Sequence, residues 1–166
     1  MVMNQEQLIY YLTGFADGEG CFCIALKHQK SAKVRWVLDP VFHVTQLAKH
    51  KEILYEFQKL LNCGMVIKKY GQESTMQFIV QSRKEIIDKV IPFFKKYKLI
   101  TKSKDFDIFA EVVEALNEHK HADKEEFIKL LKKVFTMNGE GKQRRYKLED
   151  VINSLGSSET IRQTRN

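Results

Sequence analysis

The chain has 166 residues, 43% hydrophobic and 30% charged, which suits one compact domain with its own apolar core. A formal net charge of +7 and a pI of about 9.2 favour an acidic partner, either nucleic acid or an anionic membrane surface. No run of about 18 apolar residues exists, so no spanning helix is expected, and residues 1–7 lack the basic opening of a secretory leader.

Residues 8–16 are almost wholly apolar, without a clean polar face. A helix of that kind needs cover on all sides. The domain's own core can cover one side, and a partner subunit would supply the other. From Cys21 the period switches to two: Phe22, Ile24 and Leu26 alternate with Cys23, Ala25 and Lys27. Trp36, Leu38, Pro40, Phe42 and Val44 then alternate with Arg35, Val37, Asp39, Val41 and His43. The pattern predicts two long antiparallel strands, one face buried and one open. They are joined near residues 29–33, and Pro40 marks an edge position or a bulge.

Ile53, Leu54, Phe57, Leu60 and Leu61 recur at helical spacing over 50–61, with Gly64 as a stop. Residues 65–70 and 75–81 form a second strand pair around Gly71. Ser82-x-x-Glu85 is a capping box for the next helix, which Pro92 should end or kink. Helical spacing follows over 104–116, 123–135 and, briefly, 148–155. Glycines and basic residues, among them Lys142, Arg144 and Arg145, lie between the last two. Residues 156–166 read as a polar, mobile tail. The order is α-ββ-α-ββ-α followed by further helices, in a single domain over 1–155. Cys21, Cys23 and Cys63 are an odd number, which reads as reduced thiols in a chain expected not to be secreted. The Cys21-x-Cys23 spacing is too tight for a zinc knuckle, and no second Cys or His pair in the sequence completes it.

One segment carries chemistry: Leu12-Thr13-Gly14-Phe15-Ala16-Asp17-Gly18-Glu19-Gly20. Gly14 and Gly18 are four apart, on one helical face where two backbones can approach closely. Gly18 and Gly20 permit a turn from helix to strand. Asp17 and Glu19 fall at the helix end, where the macrodipole disfavours a carboxylate. A divalent cation would offset that cost. The nonapeptide closely resembles the signature of the LAGLIDADG homing endonucleases, with Thr13 and Ala16 as mild departures, and the element order fits that family over about residues 5–116. The resemblance implies an α+β fold, α-ββ-α-ββ-α, with an antiparallel saddle-like sheet and a C-terminal helical extension over 117–155.

The resemblance also implies a function: site-specific hydrolysis of both strands of a long, roughly palindromic DNA site, with an RNA-binding intron maturase as the alternative. The last acid of the motif, Glu19, would hold Mg²⁺ or Mn²⁺ together with Gly18, and Ca²⁺ would bind without supporting cleavage. Hard oxygen ligands suit such ions, and metals can clamp the attacking and leaving oxygens of a phosphodiester. Gln46, at the end of the second strand, fits the family's water-positioning residue, and Lys102, with Lys104 close behind, its basic residue. His50 lies near another basic position of the family. One motif gives one acid per chain, so cutting two strands implies a homodimer, with Tyr10, Tyr11, Gly14, Asp17 and Gly18 in the seam.

The open sheet faces would read DNA through Cys23, Ala25, Lys27, Gln29, Arg35, Val37, Asp39, Val41, His43, Ile67, Lys69, Thr75, Gln77 and Ile79. At about 3.3 Å per residue, residues 35–43 span roughly 27 Å, on the order of 8 base pairs. The other expected partner is intron RNA, with no membrane involved. The expected compartment is a prokaryotic cytoplasm or an organelle matrix.

Overall fold

The computed structural model describes residues 3–32, 34–140 and 144–163. Helix α1 (Gln5–Glu19) opens on a capping box, in which the Asn4 side chain accepts from the Gln7 N–H at 2.9 Å and the Gln7 side chain accepts from the Asn4 N–H at 3.0 Å. It buries Leu12, Thr13 and Ala16. The Thr13 hydroxyl is satisfied by the carbonyl of Ile9 at 2.8 Å.

The chain leaves α1 directly into β1 (Gly20–His28), returns in β2 (Trp36–Leu47), and adds β3 (Met65–Lys68) and β4 (Thr75–Val80). All pairings are antiparallel in the order β1-β2-β4-β3. The even residues from Trp36 to Val44 are buried and the odd residues from Val37 to Thr45 are half-buried, as the two-residue period predicts. Opposite them, Phe22 pairs with Phe42, Ile24 with Pro40 and Leu26 with Leu38 on the core face.

Pro40 does not sit on an edge strand, since β2 is central. However, β4 stops at Val80, opposite Phe42. Phe22 and Ile24 turn their carbonyls to the outer edge of β1, where Asn138 Nδ2 (2.9 Å) and Arg144 Nη1 (3.4 Å) donate to them. Their partners Phe42 and Pro40 therefore turn their backbone polar groups toward the β4 side. At Pro40 no strand is there to need an N–H.

The helical layer packs on the core face. Helix α2 (Glu52–Leu61) ends on left-handed Asn62. A longer helical stretch comprises α3 (Arg83–Glu85), π-helical residues Ile86–Val90 and α4 (Ile91–Lys96). Pro92 neither ends nor breaks it. The widened turn just before the proline absorbs the ring and the missing N–H. After α5 (Ser103–Asn117) come α6 (Lys124–Phe135), capped by Asp123, the short α7 (Met137–Glu140) and α8 (Leu148–Gln163). The last helix runs past residue 155, where the apolar spacing lapses, so the expected polar tail is helical as far as 163. Residues 164–166 lie outside the described ones. Trp36 Nε1 donates to Ser154 Oγ at 2.9 Å and ties α8 back to the start of β2. Among the described residues, no helix is long and apolar enough to cross a membrane.

Phe22 is the centre of the core. It is 1% exposed, and its ring meets Phe42, Phe94, Phe106 and Phe109 at centroid distances of 4.8 to 5.5 Å. Phe22→Ala should cost about 3–5 kcal/mol of unfolding free energy, measurable as a lowered denaturant midpoint with an unchanged slope.

Candidate active site and nucleic-acid interface

The end of α1 and the start of α5 are joined by an exchange of charged side chains. The carboxylate of Asp17 accepts from the backbone N–H groups of Ile100 (3.2 Å), Thr101 (3.0 Å to each oxygen) and Lys102 (3.0 Å). In return, Lys102 Nζ donates to the carbonyls of Asp17 and Gly18, both at 2.6 Å, and Thr101 Oγ1 donates to the Asp17 carbonyl at 2.9 Å. Each side chain sits where the other helix's dipole favours it: the anion at the N-terminus of α5, the cation at the C-terminus of α1. Burial raises the Asp17 pKa, but the backbone donors outweigh it and hold the carboxyl below its ordinary 3.8. The sequence suggested a cation to offset Asp17 at the helix end. The offset is instead a set of N–H groups from residues 100–102.

Glu19 is the last residue of α1 and is exposed, one residue beyond the carbonyl that Lys102 holds. Lys104 lies further along, in the first turn of α5, and is also exposed. Gln46 has the parity of Phe42 and Val44, the sheet face that α1 covers, and its Oε1 accepts from the Leu47 N–H at 2.7 Å. His50 is exposed in the 3₁₀ turn Ala48–His50.

The glycines of the motif divide their tasks differently from the sequence expectation. Gly20 alone makes the turn into β1, because a Cβ there would lie 2.5 Å from the Ala16 carbonyl oxygen. Gly18 is helical, and a Cβ at Gly14 or Gly18 would meet nothing within 4 Å. Both face outward, beside Tyr10 (60% exposed) and Tyr11 (51%). Asp17, by contrast, turns its carboxylate into its own chain. Tyr97, whose ring lies 6.0 Å from that of Tyr10, and Ile100, 86% exposed, continue the apolar surface. Helical spacing within the motif gave no sign of these two.

The open face of the sheet carries the residues chosen by parity. Cys23 pairs with Val41, Ala25 with Asp39 and Lys27 with Val37. His43 pairs with Ile79, while Gln77 pairs with Ile67 and Thr45. Lys27 forms an ion pair with Asp39, and Thr75 lies opposite Leu47. Three of the predicted residues fall outside the strands. Gln29 and Arg35 sit in the β1–β2 turn, where Arg35 is left-handed at φ 61°, and Lys69 lies just past β3. Ile79 is on the open face yet buried, at 8%, between His43 and Met65. The same parity also brings Cys21, Thr45, Leu47 and Met65 to this face, residues the sequence reading passed over.

Cys21 lies directly opposite His43. A hydrogen bond with Cys23 lowers the Cys21 thiol pKa and raises that of Cys23, to which burial adds. Burial, with Lys69 nearby, pushes the His43 imidazole down, toward its neutral form. Of the basic segment 142–147, residues 142 and 143 lie outside the described ones. Arg144 points inward, donating to the Val134 and Ile24 carbonyls, with its guanidinium 4.8 Å from the Phe135 ring centroid. It is an edge cover for β1.

The LAGLIDADG endonuclease family matches residues 12–113. "Homing endonuclease I-ApeII" of Aeropyrum pernix is 31% identical over 119 residues, 72% of this chain and 70% of that protein. "DNA endonuclease I-CeuI" of Chlamydomonas moewusii is 30% identical over 71% of this chain and 56% of its own length. Among solved structures, the archaeal intron-encoded homing endonuclease I-Vdi141I complexed with DNA superposes with a TM-score of 0.87 at 27% identity. That match covers 95% of this chain and 99% of the other.

Asp17→Ala should destabilise the fold by about 1 kcal/mol or more, on the order of the net worth of a hydrogen bond. A lowered carboxyl pKa stabilises the fold above the unfolded value and loses its effect as pH falls through the folded one. The difference in stability between wild type and variant should therefore hold at neutral pH and close as the pH falls below about 4. Denaturant melts across pH 2 to 7, taken as roughly the range spanning carboxylate titration, check this.

Proposed function

The chain belongs to the LAGLIDADG endonuclease family, and from that premise we propose that it cuts both strands of a long, roughly palindromic DNA site as a divalent-metal-dependent homodimer. The observation that carries this reading is the placement of Glu19. It ends a helix whose outward face is bare backbone at Gly14 and Gly18, beside the first residue of an open-faced sheet. Two such helices packed through their glycines bring two Glu19 side chains together over the two strands to be cut.

The oxygen donors at the helix end, the Glu19 carboxylate and the Gly18 carbonyl, are of the hard class that suits Mg²⁺ or Mn²⁺. When bound, the metal neutralises charge at the phosphate and favours deprotonation of water. Lys102 keeps its ammonium beside that position, held by two carbonyls, where it stabilises negative charge on the phosphoryl oxygens. Gln46 orients the attacking water. Lys102 is favoured over Lys104 because its ammonium rests on the carbonyl immediately before Glu19.

Recognition belongs to the odd-numbered residues of β1 and β2 and their counterparts on β3 and β4. A two-stranded ribbon fits the major groove, and the open face of β2 covers on the order of 8 base pairs per subunit. The Lys27–Asp39 pair is exposed and worth at most about 1 kcal/mol, so it opens readily when base edges offer better partners. The relatives described above are named as endonucleases, and the maturase reading is not carried forward.

Two variants test the proposal. Glu19→Gln should retain site binding in a gel-shift assay while cleavage with Mg²⁺ drops by at least about a hundredfold, on the order expected for losing a group aimed at transition-state charge. Normal cutting by this variant would remove Glu19 from the site. Gly14→Leu meets open space within one chain, so its circular dichroism should match wild type, while sedimentation should show a monomer in place of a dimer. A Gly14→Leu dimer would move the seam elsewhere.

A further inference from the structure

Cys21, Cys23 and His43 are an unassigned cluster on the open face. Strand alternation puts the two cysteines on the same side of β1, and the β1–β2 register sets His43 directly across from Cys21. Their two sulfurs and an imidazole nitrogen all lie within 4.8 Å of one another, and all three residues are half-buried. The sequence lacked a completing ligand only because His43 is remote in the chain. Pairing of the strands supplies it.

The chemistry of the donors selects the ligand. A disulfide is poorly served here. Residues two apart on a strand have Cα atoms about 6.6 Å apart, near the upper limit of about 6.8 Å for bridging, with parallel rather than convergent Cβ vectors. A metal fits better. Tetrahedral zinc holds sulfur at about 2.3 Å and imidazole nitrogen at about 2.0 Å, so its donors lie about 3.5–3.8 Å apart. Small side-chain rotations bring these three groups to that spacing. Thiolate and imidazole prefer zinc-class ions to Mg²⁺, whereas the helix end at Glu19 offers only oxygen. Three protein ligands leave the fourth tetrahedral position open, on the side of the sheet away from the core.

We propose that Cys21, Cys23 and His43 form a binding site for a zinc-class ion on the open floor of the sheet, separate from the oxygen donors at Glu19. The site stands independently of the cleavage reading, because its test needs no DNA. On binding, the two thiols ligate as thiolates and release their protons to solvent.

The experiment is a titration of the reduced, full-length protein with Co²⁺. The expected result is one tightly held Co²⁺ per chain with a thiolate-to-metal charge-transfer band and tetrahedral visible absorption, displaced by one equivalent of Zn²⁺ and not by excess Mg²⁺. Cys21→Ser, Cys23→Ser and His43→Gln should each weaken binding by more than the roughly 10–100-fold typical of losing an outer partner of a ligand. Each lies on the half-buried face, and circular dichroism confirms that the variant is folded. Cys63→Ala and Glu19→Gln should bind as wild type. Uptake without a charge-transfer band, uptake unaffected by Cys21→Ser or Cys23→Ser, or loss of binding in Glu19→Gln would each overturn the proposal.

Discussion

The exchange between Asp17 and Lys102 sets the geometry on which the site depends. A helix leaves several carbonyls without partners at its C-terminus, and the segment leading into α5 carries backbone N–H groups that need acceptors. Here Lys102 meets the carbonyls of Asp17 and Gly18, and the Asp17 carboxylate meets the N–H groups of residues 100–102 just ahead of α5. The contact spans 83 to 85 positions in sequence and joins the end of the first helix to the segment between α4 and α5, beyond the whole four-stranded sheet. It orients the last turn of α1, and so the direction in which Glu19 leaves the domain. The charges at that turn are held by protein groups, the Asp17 carboxylate by backbone N–H groups and the Lys102 ammonium by two carbonyls.

The aromatic core takes up the load from the other side. Phe22 is two residues from Gly20 and is packed by Phe42 of the neighbouring strand and by Phe94, Phe106 and Phe109 of the helical layer. Its position holds β1 flat against the layer that carries Lys102. The start of β1 and the end of α1 are thus parts of one rigid corner, and loosening the core would also loosen the placement of Glu19.

Much of this was legible in the residues. Alternation at period two separated Phe22, Ile24, Leu38 and Phe42 from Cys23, Asp39 and His43 correctly, because burial on one face of a sheet leaves no other register open. The nonapeptide identified the helix end. What stayed hidden depended on partners remote in sequence. The N–H groups that hold Asp17 belong to backbone, and backbone donors leave no trace in residue identity. Cys21 and His43 are 22 positions apart and meet only through the hairpin. Local rules were also overridden. Pro92 was absorbed by a π-helical turn, and α8 continued past its last well-spaced apolar residues because Trp36 and the core anchor its earlier part.

The sheet is not uniform along β2. Where β4 stops opposite Phe42, four strands become two, and residues 36–41 extend as a ribbon paired with β1 alone. The outward side chains of that ribbon share little with the aromatic core, while those nearer Gly20 are crowded by Ile79 and Met65. Tolerance to substitution is therefore graded along the molecule. The outward positions of the distal ribbon can diverge at little expense to folding, while Trp36 and Leu38 stay tied to the core, and the proximal end is bound to the end of α1 and Glu19. A sheet built this way can change its distal outward surface while the corner where α1 meets β1 stays as it is.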